Sequence, residues 1–172
     1  VGSTNVIGYR NTFGMFSVSA GYSQNGTSQA ESGSTGEAAH GSTEDIYVSM
    51  AGLIDGLTIG AGTGEVGVTQ DEESMWVKYT MGGATMAYQR SEVDYAAATS
   101  KDEEADHYGI SFAVNEDLTV SAGRQEVEFS TTGNEDEESS GISASYTMGG
   151  LTIAGHANST DSQNGVSGQD EE

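Results

Sequence analysis

Carboxylates are the groups in this sequence most able to do chemistry: 27 Asp and Glu stand against five Lys and Arg, for a net charge of −22. They gather in "DEE" (71–73), "KDEEAD" (101–106) and "NEDEE" (134–138). Oxygen ligands of this kind suit Ca²⁺ or Mg²⁺, which makes Asp71, Glu72, Glu73, Asp102, Glu103, Glu104, Glu135, Asp136 and Glu137 the candidate metal ligands. None sits in the glycine-kinked register of an EF-hand, so a solvated acidic rim is the simpler reading. The three histidines are far apart, with no His-x-x-x-His spacing for a transition metal. No Gly-x-Ser-x-Gly elbow is present, and the absence of cysteine removes disulfides and thiolate catalysis together. These features argue against an enzyme, and the charge argues against nucleic acid as a partner.

The elements that must carry these groups are strands. Only 34% of the 172 residues are hydrophobic, and no run approaches the length of a spanning helix. In "SMWVKYTM" (74–81) the residues Met75, Val77, Tyr79 and Met81 alternate with Trp76, Lys78 and Thr80, the period of a half-buried strand. Two glycines follow, suited to the positive φ angles of a tight turn, and Ala84, Met86 and Tyr88 resume the alternation. The hairpin "KYTMGGATMAYQ" (78–89) returns as "SYTMGGLTIAGH" (145–156). Its second arm has four versions, "LTIGAG", "ATMAYQ", "LTVSAG" and "LTIAGH", beginning 27, 34 and 33 residues apart. A fifth hairpin, around "NTFG" (11–14), opens the chain, so ten strands are expected in one domain, 1–172.

One parity of each strand is apolar, as in Phe16, Val18, Ala20 and Tyr22 or Tyr108, Ile110, Phe112 and Val114; the other is small and polar, as in Ser17, Ser19, Gly21 and Ser23. Short turns alternate with longer connections near 23–45, 65–74, 92–106, 126–140 and 159–172, which hold 24 of the 27 acidic residues, all but Asp55, Glu116 and Asp117. Short turns at one edge, acid at the other and a nearly carboxylate-free band between them predict an all-β, antiparallel up-and-down transmembrane β-barrel. Its apolar parity would face lipid and its polar parity water. Arg10, Lys78, Trp76, Tyr47, His107 and His156 share the inward parity and are the candidate pore-lining residues. Arg10 and Lys78 either set up a transverse field or are plain solvated side chains. Arg90 and Arg124 have lipid-side parity and are expected to reach up to the acidic rim.

The stretch "NVIGYRNTFGMFSVSAGY" (5–22), through Asn5, Tyr9, Phe13, Phe16 and Ser17, resembles the central region of the general diffusion porins of Gram-negative bacteria, and "YVSMAGLIDGLTIGAG" and "YGISFAVNEDLTVSAG" resemble that family's repeated hairpin. The resemblance implies an internal section of a 16-stranded barrel that assembles as a trimer in the outer membrane, among lipid and lipopolysaccharide. It also implies passive diffusion of small hydrophilic solutes and ions, without a cofactor. The acidic mouth adds a lean toward cations. The rival reading is a secreted or surface-attached adhesin or filament subunit. Its apolar faces would pack against each other, and its acidic loops would bind divalent cations.

Overall fold

The computed structural model describes residues 5–27, 40–66, 70–97, 102–130 and 133–171. The strands are β1 (Asn5–Phe13), β2 (Phe16–Thr27), β3 (His40–Ala51), β4 (Leu57–Val66), β5 (Gln70–Met81), β6 (Ala84–Tyr95), β7 (Glu103–Ala113), β8 (Leu118–Phe129), β9 (Glu137–Met148) and β10 (Leu151–Asp161). They form one ten-stranded antiparallel sheet in chain order, β1 to β10. All ten expected strands are therefore found in a single layer. The packed sandwich required by the adhesin reading is absent among the described residues.

The strands run further into the acidic stretches than their composition suggests. β5 begins at Gln70 and β9 at Glu137, so many carboxylates stand on the ladder itself. The parts of the long connections at 28–39, 67–69, 98–101 and 131–132 lie outside the described residues, and with them Glu31 and Glu37.

The repeated hairpin is held by more than its glycines. Gly82 and Gly149 have φ of 59° and 60° at the first turn position, and Gly14 has 61° in the opening hairpin, the dihedral that a two-residue type II′ turn demands. Gly83, expected to share that strain, has no positive φ. It is needed for proximity instead: a Cβ there would lie 2.9 Å from the carbonyl oxygen of Ala113. Just inside these turns, hydroxyl pairs bridge the two arms on the polar face: Thr12 with Ser17, Thr80 with Thr85, and Thr147 with Thr152, each at 3.0 Å. This explains why threonine recurs with the glycines.

Neighbouring hairpins are stitched together along the turn edge. The amides of Ala51, Thr80, Ala113 and Thr147 donate to the carbonyls of Met15, Gly56, Gly83 and Asp117, at 3.0, 2.9, 2.8 and 2.8 Å. In the β7–β8 turn the Asn115 side chain accepts from the amides of Asp117 and Leu118, an Asx turn that takes the place of glycine.

Side-chain exposure identifies the two faces. Ile110, Phe112 and Ile142 are 50%, 48% and 64% exposed. Along β4 the apolar parity (Ile59, Ala61) is exposed, while the glycine parity is shielded. On the outside of a curved sheet side chains splay apart; on the inside they crowd. The buried apolar residues are Val66, Val93, Ala105 and Val127, and all have the polar-face parity at the acidic end of the sheet. A soluble protein would cover its large apolar surface; here it is turned outward.

Candidate functional site

Cross-strand pairing places all six candidate pore-lining residues on one face of the sheet, the face rich in serine and glycine. Arg10 pairs with Ser19, Ser19 with Tyr47, and Tyr47 with Gly62. Gly60 pairs with Trp76, Trp76 with Gln89, and Gln89 with His107. Lys78 lies between Thr58 and Ala87, and His156 stands opposite Ser143 at the β9–β10 edge. Around them the wall is hydroxyl and glycine: Ser121 and Ser143 hydrogen-bond at 2.7 Å, and Ser139 and Thr160 at 2.9 Å.

Tyr47 and Trp76 come together although 29 positions separate them. Their ring centroids are 6.4 Å apart and their planes differ by 13°. Glycines on β4 create the space beneath. A Cβ at Gly60 would stand 2.6 Å from Tyr47 Oη and 2.8 Å from Trp76 Cε2 and Nε1, and one at Gly62 would stand 3.2 Å from Tyr47 Cδ2. The Tyr47 ring therefore lies along β4 over two glycines, and the Trp76 indole meets it above Gly60. Both side chains are half-buried, so part of each ring is left open on this face. The alternating glycines of "TIGAGTGEV" (58–66) are the only sequence signal for this arrangement, and they do not say which rings use the space.

The outer face has its own order. Rising from the turns, the apolar band on β6 and β7 ends in Tyr88 and Tyr108, whose rings are 5.3 Å apart. Immediately beyond, Tyr88 Oη donates to Asp106, and Arg90 forms ion pairs with Glu104 and Asp106. Arg124 pairs with Glu126 at 2.5 Å and Glu138 at 3.1 Å. Both arginines thus reach the acidic rim as expected, each guanidinium held among carboxylates.

Parity also sorts the carboxylates in a way the sequence reading missed. Glu44, Glu65, Asp71 and Asp94 face one another across four neighbouring strands, and Glu73, Glu92, Glu104 and Glu128 form a second such row. A third runs through Asp106, Glu126, Glu138 and Asp161. All twelve have outward parity. Inward parity within the strands has only Asp45, Glu72, Glu103 and Glu137. The signal was available in the strand period itself, which continues unbroken through segments that look like loops by composition.

The candidate metal ligands are not gathered into one site. Asp71 and Glu73 point outward while Glu72 points inward beside Gln70, whose side-chain amide donates to it. Asp102 accepts from the amide of Tyr95, Glu104 is paired with Arg90, Glu135 accepts from Ser162, and Glu137 accepts from the amide of Asn164. Among the described residues no three His, Asp or Glu side chains converge so that they could hold a metal.

Comparison with known proteins agrees with this geometry. The Gram-negative porin family profile matches residues 2–167. A refined porin structure superposes with a TM-score of 0.72 at 19% identity, over 92% of this chain and 56% of that one. The outer-membrane protein OmpT of Vibrio cholerae gives 0.69 at 18%, covering 91% and 54%. An anion-selective porin from Comamonas acidovorans gives 0.69 at 15%, covering 91% and 48%. The chain thus spans about half the length of the solved structures it matches. No curated protein sequence matches it.

Proposed function

This chain belongs to the Gram-negative porin family of the outer membrane, and from that premise we propose that it supplies ten strands of a water-filled barrel through which small hydrophilic solutes and ions diffuse. The observation that carries the proposal is the inverted burial: Ile110, Phe112 and Ile142 are exposed on the outer wall while serine, glycine and threonine fill the inner one. Unpaired backbone at a sheet edge is costly in hydrocarbon, so β1 and β10 meet further strands of the full-length barrel. As in the family the resemblance pointed to, three such barrels associate. The test is a planar-bilayer recording of the full-length protein. Discrete, ohmic conductance steps are expected; a silent bilayer with protein that stays monodisperse without detergent would refute the reading.

Selectivity follows from the carboxylates that line the water path. Asp45 and Glu72 have inward parity, and at about 0.1 M salt a charge acts over roughly 10 Å, so a modest cation preference is proposed. The fold does not dictate this sign, since a structural neighbour is an anion-selective porin. In a salt gradient, Asp45→Asn with Glu72→Gln should lower the cation-to-anion permeability ratio roughly twofold. The outward quadruple of Glu44, Glu65, Asp71 and Asp94, neutralised in the same way, should leave it unchanged. Equal effects of the two sets would remove the inner wall from the argument.

The outward rows lie just beyond the apolar band, at the level of the sugar and phosphate headgroups. Like charges directly opposite one another destabilise a sheet, so diffuse screening by Ca²⁺ or Mg²⁺ shared with lipopolysaccharide phosphates is the proposed role of these ions. Thermal unfolding in lipopolysaccharide-containing micelles should shift upward with millimolar Mg²⁺ and fall with a chelator. The shift should shrink when the outward quadruple is neutralised. An identical shift in the neutralised protein would put the ions elsewhere.

A further inference from the structure

We propose that the Tyr47–Trp76 pair is a stacking subsite for the pyranose ring of an uncharged sugar on its way through the channel. The inference rests on the porin reading and extends it from passage to recognition.

Three features carry it. First, the rings are near-parallel, 13° apart, with 6.4 Å between centroids. Both come within 3 Å of where a Cβ at Gly60 would stand, and both are half-buried, so their open parts form one aromatic patch on a wall rich in hydroxyl side chains. Such a surface matches the C–H face of a pyranose. Second, the neighbours on the same face are Ser49, Ser74 and Gln89, paired with Gly60, Gly62 and Trp76 respectively. They offer both donors and acceptors around the platform, as sugar hydroxyls require. Third, the flanking charges have opposite sign. Asp45 lies two residues before Tyr47 toward the acidic end, and Lys78 lies two residues after Trp76 toward the turns. A charged solute attracted by one is repelled by the other; a neutral polar ring meets no such penalty.

The glycines give the inference a structural handle. With any side chain at position 60 the rings could not lie down, since a methyl would press on both at under 3 Å. They would stand into the pore and lose the platform while remaining aromatic.

The test uses the full-length protein, methyl α-glucopyranoside and maltose as probes, and two readouts. In bilayers the sugars should block ion current saturably. In detergent they should change the emission of Trp76, isolated as the difference between the parent and Trp76→Phe. Tyr47→Ser and Gly60→Ala should each raise the half-blocking concentration about fivefold to tenfold, and Tyr47→Phe should restore binding. Channels that conduct ions but ignore both sugars, or that respond equally in Tyr47→Ser, overturn the proposal and leave the porin reading intact. A response to benzoate or tetramethylammonium in place of sugar overturns the ligand class. A protein that conducts nothing refutes the porin reading, and the emission difference then still decides the platform.

Discussion

Ile110→Arg is expected to prevent stable insertion of the barrel, while Ser111→Arg, one residue along, is expected to fold and change the current. Ile110 sits mid-strand on the outer face, paired with Met86 and Ala122, and is half exposed. In the membrane that exposed half faces acyl chains. Arginine on the lipid side near the midplane of a transmembrane barrel costs about 2–4 kcal/mol, a large fraction of the stability of an ordinary domain. Snorkelling offers little relief, because the nearest carboxylates, those around Arg90 and Arg124, lie beyond the Tyr88–Tyr108 belt. Ser111 pairs with Thr85 and Ser121 on the opposite face, where an arginine would extend into water and add a fixed positive charge to the channel wall. The measurements are the folded fraction on refolding into lipid vesicles and the permeability ratio of whatever inserts. Should Ile110→Arg insert normally and Ser111→Arg fail, the two faces are assigned the wrong way round.

That assignment was legible in the sequence because it needs only a period of two. Phe16, Val18, Ala20 and Tyr22 share a parity wherever the strand begins or ends, and the turn glycines mark where the period resets. Strand number, chain-order pairing and the short-turn edge follow from the same repeat. What could not be read was register across strands and strand extent. Composition made 126–140 look like a loop, yet β8 continues to Phe129 and β9 starts at Glu137, which turns a formless acidic crown into rows of facing carboxylates. The Tyr47–Trp76 contact depends on two registers, β3 on β4 and β4 on β5, neither of which has a local marker. Glycine roles were half visible: positive φ at Gly82 follows from a tight turn, whereas the need for Gly83 comes from Ala113 on the next hairpin, 30 positions away.

The same distinction between dihedral strain and close approach predicts which turn glycine matters most. Gly82 has φ of 59° with open space where a Cβ would point, so Gly82→Ala pays only for its positive φ, roughly 1–3 kcal/mol. Gly56 combines a φ of 76° with a Cβ position that falls inside the carbonyl oxygen of Thr80. That oxygen is backbone and cannot rotate away, and the same contact carries the hydrogen bond from the Thr80 amide to the Gly56 carbonyl at 2.9 Å. Forced overpacking adds roughly 1–3 kcal/mol to the dihedral cost, and the stitch between the β3–β4 turn and β5 is strained with it. Gly56→Ala should therefore lower the unfolding midpoint in denaturant well below that of Gly82→Ala, both measured in the same detergent. If Gly56→Ala and Gly82→Ala unfold together, the turn edge is loose enough to separate from β5, and the backbone bonds linking successive hairpins contribute little to holding the sheet in register.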